Sequence, residues 1–316
     1  MKELENPFVV YGYVSPTYFC DREQETFDLI TALSNGRNVT LMSPRRMGKT
    51  GLICNVFHQL QQRKEAACFY IDIFSTKSLA SFVKVFASAI VGKLDTPMQR
   101  AEGFIQRFFQ GIRLSFSTDM LTGNPQVNLD FQPEQTESTL EQVFAYLVQS
   151  KRECYIAIDE FQQINTFPEK NIEAKLRTYV QQCHNAQFIF AGSQRHTMSA
   201  MFMNASRPFY QSVSVMHLGS IDMASYDAFA KNLFTEGGRG LSDGVTEAVY
   251  ALSKGVTWYT QKLFNTMYAA TPQGETCDVQ QVEEALEYIL KTQSYSYEEI
   301  LFRLPEKQKM VLIALA

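Results

Sequence analysis

Along the chain, short runs of consecutive apolar residues alternate with stretches whose apolar positions recur every three or four residues. That alternation predicts strands joined by helical crossovers, an α/β fold with a parallel sheet sandwiched by helices. The strand candidates are 38–42, 68–74, 154–158, 188–191 and 213–218. Each is a nearly unbroken apolar run, as expected where helices cover both faces of a sheet. Between them, Leu52, Ile53, Val56, Phe57 and Leu60 share one helical face. So do Leu140, Val143, Phe144 and Leu147, behind Ser138 and Glu141 in capping-box spacing. From Ile112 the pattern turns to strict alternation, "IRLSFS" and "VNLDF" about a "TGNP" turn. This predicts an inserted hairpin, either a surface embellishment or a partner contact.

After Leu218 the pattern predicts helices only, at 223–234, 244–253, 257–270 and, behind an Asp278 cap, 279–291. The shift sets a boundary near 219. The closing "LPEKQKMVLIALA" starts a helix with Pro305 near its first turn and stops within an apolar run. The expectation is that the natural chain continues past Ala316, or that this end docks elsewhere.

Composition narrows the class. The 316 residues, 45% hydrophobic and 20% charged, suffice for a substantial core. No apolar stretch is long enough to span a bilayer, and "MKELENPFVV" carries acids where a secretory signal would be basic, so the expected compartment is the cytoplasm, with no membrane partner. Six cysteines and four histidines are dispersed without metal-ligand spacing and read as reduced, buried thiols and isolated imidazoles. A net charge of −4 offers nucleic acid no global attraction, though it leaves a local basic face open.

The candidate chemistry starts at "NVTLMSPRRMGKTGLICNVF", 38–57, a strand, a loop and a helix in the order a phosphate-binding loop requires. The loop positions are Pro44, Arg45, Arg46, Met47, Gly48, Lys49, Thr50 and Gly51. Gly48 lets backbone N–H groups approach phosphates, Lys49 would reach the β and γ phosphates, and Thr50 would offer its hydroxyl to Mg²⁺. Ser43 stands where the pattern has its first glycine. Pro44 pushes the preceding residue toward extended geometry, which needs no glycine. A second strand, "ECYIAIDEFQQI", ends in Asp159, a ligand for Mg²⁺ directly or through water, and Glu160, a general base for the attacking water. The bland alternative is two acids capping the next element. Ser193, Gln194 and Arg195 end a further strand, where they either sense the γ-phosphate or are simple loop residues.

Taken with "YFCDREQE" at 18–25, "FAGSQRHTM" at 190–198 and "RPFYQ" at 207–211, these motifs make the chain resemble the archaeal-type ATPases of the STAND group, AAA-like members of the P-loop superfamily. The resemblance spans about residues 7 to 270. It implies ATP rather than GTP, in keeping with the lack of an NKxD motif. It also implies Phe19 and its neighbours beside the adenine, with Asp21 where the family has glycine, and the Arg45–Arg46 doublet as typical of the loop. A helical lid at 219–292 and the start of a winged-helix domain at 293–316 would follow a nucleotide domain at 1–218. In the lid's GxP motif Gly255 is kept and Thr257 replaces proline. Arg207 is either an arginine that reaches a phosphate, within the subunit or across an interface, or a solvated residue before a buried Pro-Phe-Tyr.

The leading expectation is a slow, Mg²⁺-dependent ATPase acting as a nucleotide switch, bound to ATP or ADP, with nucleotide-dependent self-association and an unnamed protein partner. The alternatives are a nucleotide-binding regulator without turnover and a DNA-associated initiator or transposition helper that reads DNA through its winged-helix region.

Overall fold

The computed structural model describes residues 4–62, 66–94, 109, 111–118, 125–150 and 152–315. The chain divides into two compact units, Arg22–Gly219 and a second built from Met1–Asp21 with Ser220–Ala316.

In the first unit, β1 (Val39–Met42), β2 (Ala67–Asp72), β5 (Cys154–Asp159), β6 (Ala186–Gly192) and β7 (Ser214–His217) form one sheet, while β3 (Arg113–Thr118) and β4 (Pro125–Asp130) form a hairpin. The sheet order is β2-β5-β6-β1-β7 and every pairing in it is parallel. Strands β1, β5 and β6 are buried throughout, which explains their unbroken apolar runs. At β7 the expectation of burial on both faces fails. Among the described residues that strand pairs only with β1, and its residues alternate between half-buried and exposed, with Val215 42% exposed.

Phe69, Ile71, Ile156, Ile158, Phe188 and Phe190 point to one sheet face and pack with helices α3 (Leu79–Leu94) and α4 (Thr136–Gln149) through Phe82, Phe86, Val143 and Phe144. The alternate residues Leu41, Cys68, Tyr155, Ala157 and Ile189 are equally buried on the opposite face. There α1 (Glu23–Ser34) lies on β1, and α2 (Lys49–Gln61) lies on β2 and β5. Ser138 does not cap α4, because a 3-10 turn at Pro133–Gln135 runs straight into the helix. The capping box is made instead by Gln132 and Gln135, and the Ser138 hydroxyl donates to the Gln135 carbonyl at 2.9 Å.

The hairpin strands pair antiparallel from Arg113 opposite Asp130 to Thr118 opposite Pro125, and residues 122–124 of the "TGNP" turn lie outside the described residues. Val127, Leu129 and Phe131 join the main core, so the hairpin is an integral layer rather than a surface embellishment.

The second unit contains α7 (Met223–Glu236), α8 (Val245–Ser253), α9 (Thr257–Ala270), α10 (Gln280–Arg303) and α11 (Glu306–Leu315), while α5 (Ile172–Gln182) and α6 (Arg195–Met203) complete the first. It is not purely helical: β8 (Gly240–Leu241) pairs in parallel with β9 (Thr276–Cys277). Two-residue strands carry too little sequence to show a period. Asp278 serves as the cap of α10, accepting from the Gln280 and Gln281 N–H groups at 3.0 and 3.3 Å while Gln281 Oε1 accepts from the Asp278 N–H at 2.9 Å. The helix then continues to Arg303, so position 292 falls inside it. Phe8 is fully buried in this unit's core and stacks on Phe264, ring centroids 5.3 Å apart.

None of the six cysteines is in a disulfide. Burial pushes the Cys154 and Cys183 thiols up to about 12 and that of Cys277 to about 11, so they stay protonated at neutral pH. Among the described residues no helix is long and apolar enough to cross a membrane.

Candidate functional site

Because the sheet is parallel, the strand ends Met42, Asp159 and Gly192 share one edge. Strand β6 lies between β5 and β1, so the loop after β1, the acids after β5 and the serine after β6 are brought side by side.

The loop is entered through Ser43, which is completely buried; its N–H donates to the Gly192 carbonyl at 3.3 Å and its hydroxyl to the Pro44 carbonyl at 2.8 Å. Positive φ falls at Arg46 (69°) and Gly48 (86°), not at Ser43, which therefore needs no glycine. Helix α2 begins at Lys49 with Gly48 as its N-cap, so the first-turn N–H groups open onto this edge. Arg22 braces the loop from below. It is only 4% exposed, and its guanidinium donates to the Met47 carbonyl at 3.4 Å and the Gly219 carbonyl at 2.6 Å while pairing with Glu25 at 2.7 Å.

Lys49, 8% exposed, places Nζ 2.6 Å from Asp159 Oδ1 and 3.4 Å from Glu160 Oε1. Asp159 Oδ1 also accepts from the Glu160 N–H at 2.8 Å. Its other oxygen accepts from the Tyr70 hydroxyl at 2.5 Å and the Thr50 hydroxyl at 3.3 Å. Burial alone would raise the Asp159 carboxyl, but the Lys49 charge and the hydrogen bonds from Lys49, Tyr70 and Glu160 outweigh it and hold the group below its ordinary value.

Glu160 itself sits at φ 57°, a conformation uncommon outside glycine, at the entry to the 3-10 turn Phe161–Thr166. Its Oε2 accepts from the Ser193 hydroxyl at 2.8 Å and from the Gln162 amide. Gln162 is 4% exposed and lies against Gly192, where a Cβ would collide with it and would come within 2.6 Å of Met198 Sδ. Arg45 Nε lies 3.5 Å from the Ser193 hydroxyl, its guanidinium over the Phe74 ring at 5.7 Å.

The structure thus brings Gly48, Lys49, Thr50, Asp159, Glu160 and Ser193 together. Gln194 and Arg195 instead open helix α6, with Gln194 Oε1 accepting from the Thr197 hydroxyl at 3.2 Å. Arg207 is about a third exposed and is not joined to the Lys49 cluster: it pairs with the carboxylate of buried Glu173 and donates to Asn165 Oδ1 at 2.7 Å. Phe19 belongs to the second unit, where its half-buried ring meets Tyr13 edge-on at 5.9 Å. In the same unit Gly255 has φ 70°, and a Cβ there would come within 2.9 Å of Ser220 Cβ. Thr257 takes the first position of α9, where a proline would lose no helical hydrogen bond.

Three residues at this edge escape a reading by motif. Tyr70 lies in an apolar run, and its only signal is spacing: Asp72 two residues on pairs in register with Asp159, so Tyr70, Asp72 and Asp159 share a sheet face. Gln162 and Arg22 show up only through what they hold.

A glycine-bent loop opening a helix, with its lysine set against two acids from the end of a second strand of the sheet, defines the site of a P-loop nucleotide-binding protein. The family model described as an AAA domain matches residues 32–197, just over half of the chain, and the chain belongs to that family. No curated protein sequence matches it. Among solved structures, it is similar to the Walker-type ATPase PABY2304 of Pyrococcus abyssi at 18% identity, with TM-score 0.63, covering 95% of this chain and 80% of that one. The Aeropyrum pernix ORC1 protein in complex with DNA matches at 14% identity and TM-score 0.63, over 99% and 76% of the two chains. The ORC2 protein of the same organism, solved in ADPNP–ADP complexes, matches at 15% identity and TM-score 0.56, over 89% and 71%. At these identities the likeness is one of fold.

Proposed function

We propose that this AAA-domain chain binds ATP with Mg²⁺ and hydrolyses it slowly, as a nucleotide switch of the STAND type. The observation that carries the reading is Lys49, buried at the mouth of the loop between Asp159 and Glu160. A buried lysine bridging two carboxylates is an arrangement into which a polyphosphate and its counter-ion fit without leaving an unpaired charge.

The loop N–H groups from Arg45 to Gly48 and the α2 N-terminus cradle the phosphates, and Lys49 turns from Asp159 toward them. Thr50 and Asp159 hold Mg²⁺, directly or through water. Their hydroxyl and carboxylate oxygens, 3.3 Å apart, are hard donors of the kind Mg²⁺ takes. When bound, the cation neutralises charge on the phosphate oxygens. Glu160 takes the proton of the attacking water, and Ser193 reports on the γ-phosphate through the oxygen it shares with Gln162. Phe19 lines the base pocket, residues 219–292 act as the lid, and 293–316 begin a winged-helix domain in a cytoplasmic protein. Arg207 can serve as a finger for a phosphate of a second copy only by giving up Glu173, which ties that role to self-association.

Phosphate release by the parent and a Glu160→Gln protein tests this reading. Loss of a general base should slow turnover by about 100-fold or more while ATP stays bound. Equal rates in the two proteins would remove the hydrolytic mechanism.

A second reading, nucleotide binding without turnover, is favoured by how firmly Glu160 is tied, to Lys49, Ser193 and Gln162 at once. Undetectable phosphate release by a parent that binds ATP would establish it. Duplex DNA remains a partner only through the winged-helix region, and a salt-sensitive mobility shift is its test.

A further inference from the structure

Tyr70 has no part in the scheme above, yet it makes the shortest hydroxyl contact to Asp159. Its Oη lies 2.5 Å from Asp159 Oδ2 and 3.4 Å from Thr50 Oγ1, which are themselves 3.3 Å apart. The phenol therefore closes a triangle with the two oxygens assigned to the cation. Each carboxylate oxygen offers about two lone pairs, and Asp159 has two donors on each: Lys49 and the Glu160 N–H on Oδ1, Tyr70 and Thr50 on Oδ2. All four acceptor positions are in use.

A nucleotide's phosphates would draw Lys49 off Oδ1, but that oxygen faces the lysine side of the site. The oxygen beside Thr50 is the one that Tyr70 holds. A cation needs ligand oxygens at about 2.0–2.1 Å in near-octahedral order, and a phenol within hydrogen-bonding distance of both oxygens stands in that space. Tyr70 is held there by strand register: it precedes Asp72, the partner of Asp159, by one pleat on the same face.

We propose that Tyr70 is a competitor for the cation site, its hydroxyl holding Asp159 Oδ2 so that Mg²⁺ engages Asp159 and Thr50 only as the phenol lets go. This rests on the phosphate-loop reading. It assigns Tyr70 the task of setting how much Mg²⁺ the site demands, separately from its affinity for nucleotide. The exchange is one of hydrogen-bond partners, and no covalent bond changes.

The test is a Mg²⁺ titration of the ADP-bound parent, Tyr70→Phe and Tyr70→Leu proteins, beside ADP binding to each in EDTA. Removing a hydroxyl bonded to a carboxylate should lower the half-saturating Mg²⁺ concentration by about tenfold in both variants. ADP affinity in EDTA should stay within about twofold of the parent, because the phenol touches no loop group that grips phosphate in that reading. An unchanged or higher Mg²⁺ requirement in Tyr70→Phe, with ADP binding intact, overturns the competitor role and leaves the phosphate loop standing. It would mean that the phenol holds the carboxylate in place for the cation. Failure of the parent itself to bind ADP, with or without Mg²⁺, overturns both. The leucine variant guards against a ring hydroxyl replaced in function by the bare ring: tightening in both variants is expected, and tightening in neither contradicts the proposal.

Discussion

At Asp159 burial and charge pull in opposite directions, and charge wins. The carboxyl sits below its ordinary value because Lys49, Tyr70 and the Glu160 N–H stabilise the anion more than burial destabilises it. With the folded value below the unfolded one, about 3.9, the stabilisation is fully present above about pH 4 and is lost as pH falls through the folded value. Asp159→Asn should therefore flatten the acid limb of a urea-midpoint-against-pH curve while lowering the neutral plateau, since Lys49 then keeps only Glu160. An acid limb identical to the parent's would show that Lys49 does not stabilise the Asp159 anion. Gly192 is a second residue whose identity is dictated by contact. A methyl group there collides with the Gln162 amide and Met198. Gly192→Ala should cost roughly 1–3 kcal/mol by overpacking, and should impair turnover more than binding because Gln162 holds Glu160. Denaturant midpoints together with phosphate release check both parts.

At the scale of elements, the turn that carries Glu160 is anchored by aromatic packing. Phe161 lies 4.6 Å from Phe190 of β6 and 5.6 Å from Phe209 of the "RPFYQ" segment, and Phe202 of α6 completes the cluster. Phe161 is fully buried, so Phe161→Ala should cost about 3–5 kcal/mol, measured by thermal or urea unfolding. The same cluster fixes Phe209 and so sets Arg207 against Glu173. Arg207→Ala should destabilise the parent by about 1–2 kcal/mol through the carboxylate left behind, a discount on a fully buried pair because the arginine is about a third exposed. A stability change near zero would speak for a role outside the folded monomer. The sheet was legible because β1, β5 and β6 are buried on both faces and so write themselves as apolar runs. The β8–β9 pair left no such trace, and the start of α4 was masked by a preceding 3-10 turn. In the site, Lys49, Thr50, Asp159 and Glu160 were legible because phosphate chemistry demands those types at strand ends. Tyr70, Gln162 and Arg22 were not, because their roles depend on which strands become neighbours.

For the molecule as a whole, each compact unit has its own core, one around Phe69, Phe86 and Phe190 and one around Phe8, Phe234 and Phe264. The phosphate-loop site is assembled entirely from residues of the Arg22–Gly219 unit. Nucleotide should therefore stabilise that unit by mass action, about 2.7 kcal/mol at a concentration of 100 times Kd, visible as a rise in its melting temperature. The most direct measurement is ATP and ADP binding by calorimetry to the parent and to a Lys49→Ala protein, each with and without Mg²⁺. The parent should bind, more tightly with Mg²⁺ for ATP, and the alanine protein should lose most of that affinity while remaining folded. Equal affinity in the two folded proteins would contradict the assignment of this loop to phosphate.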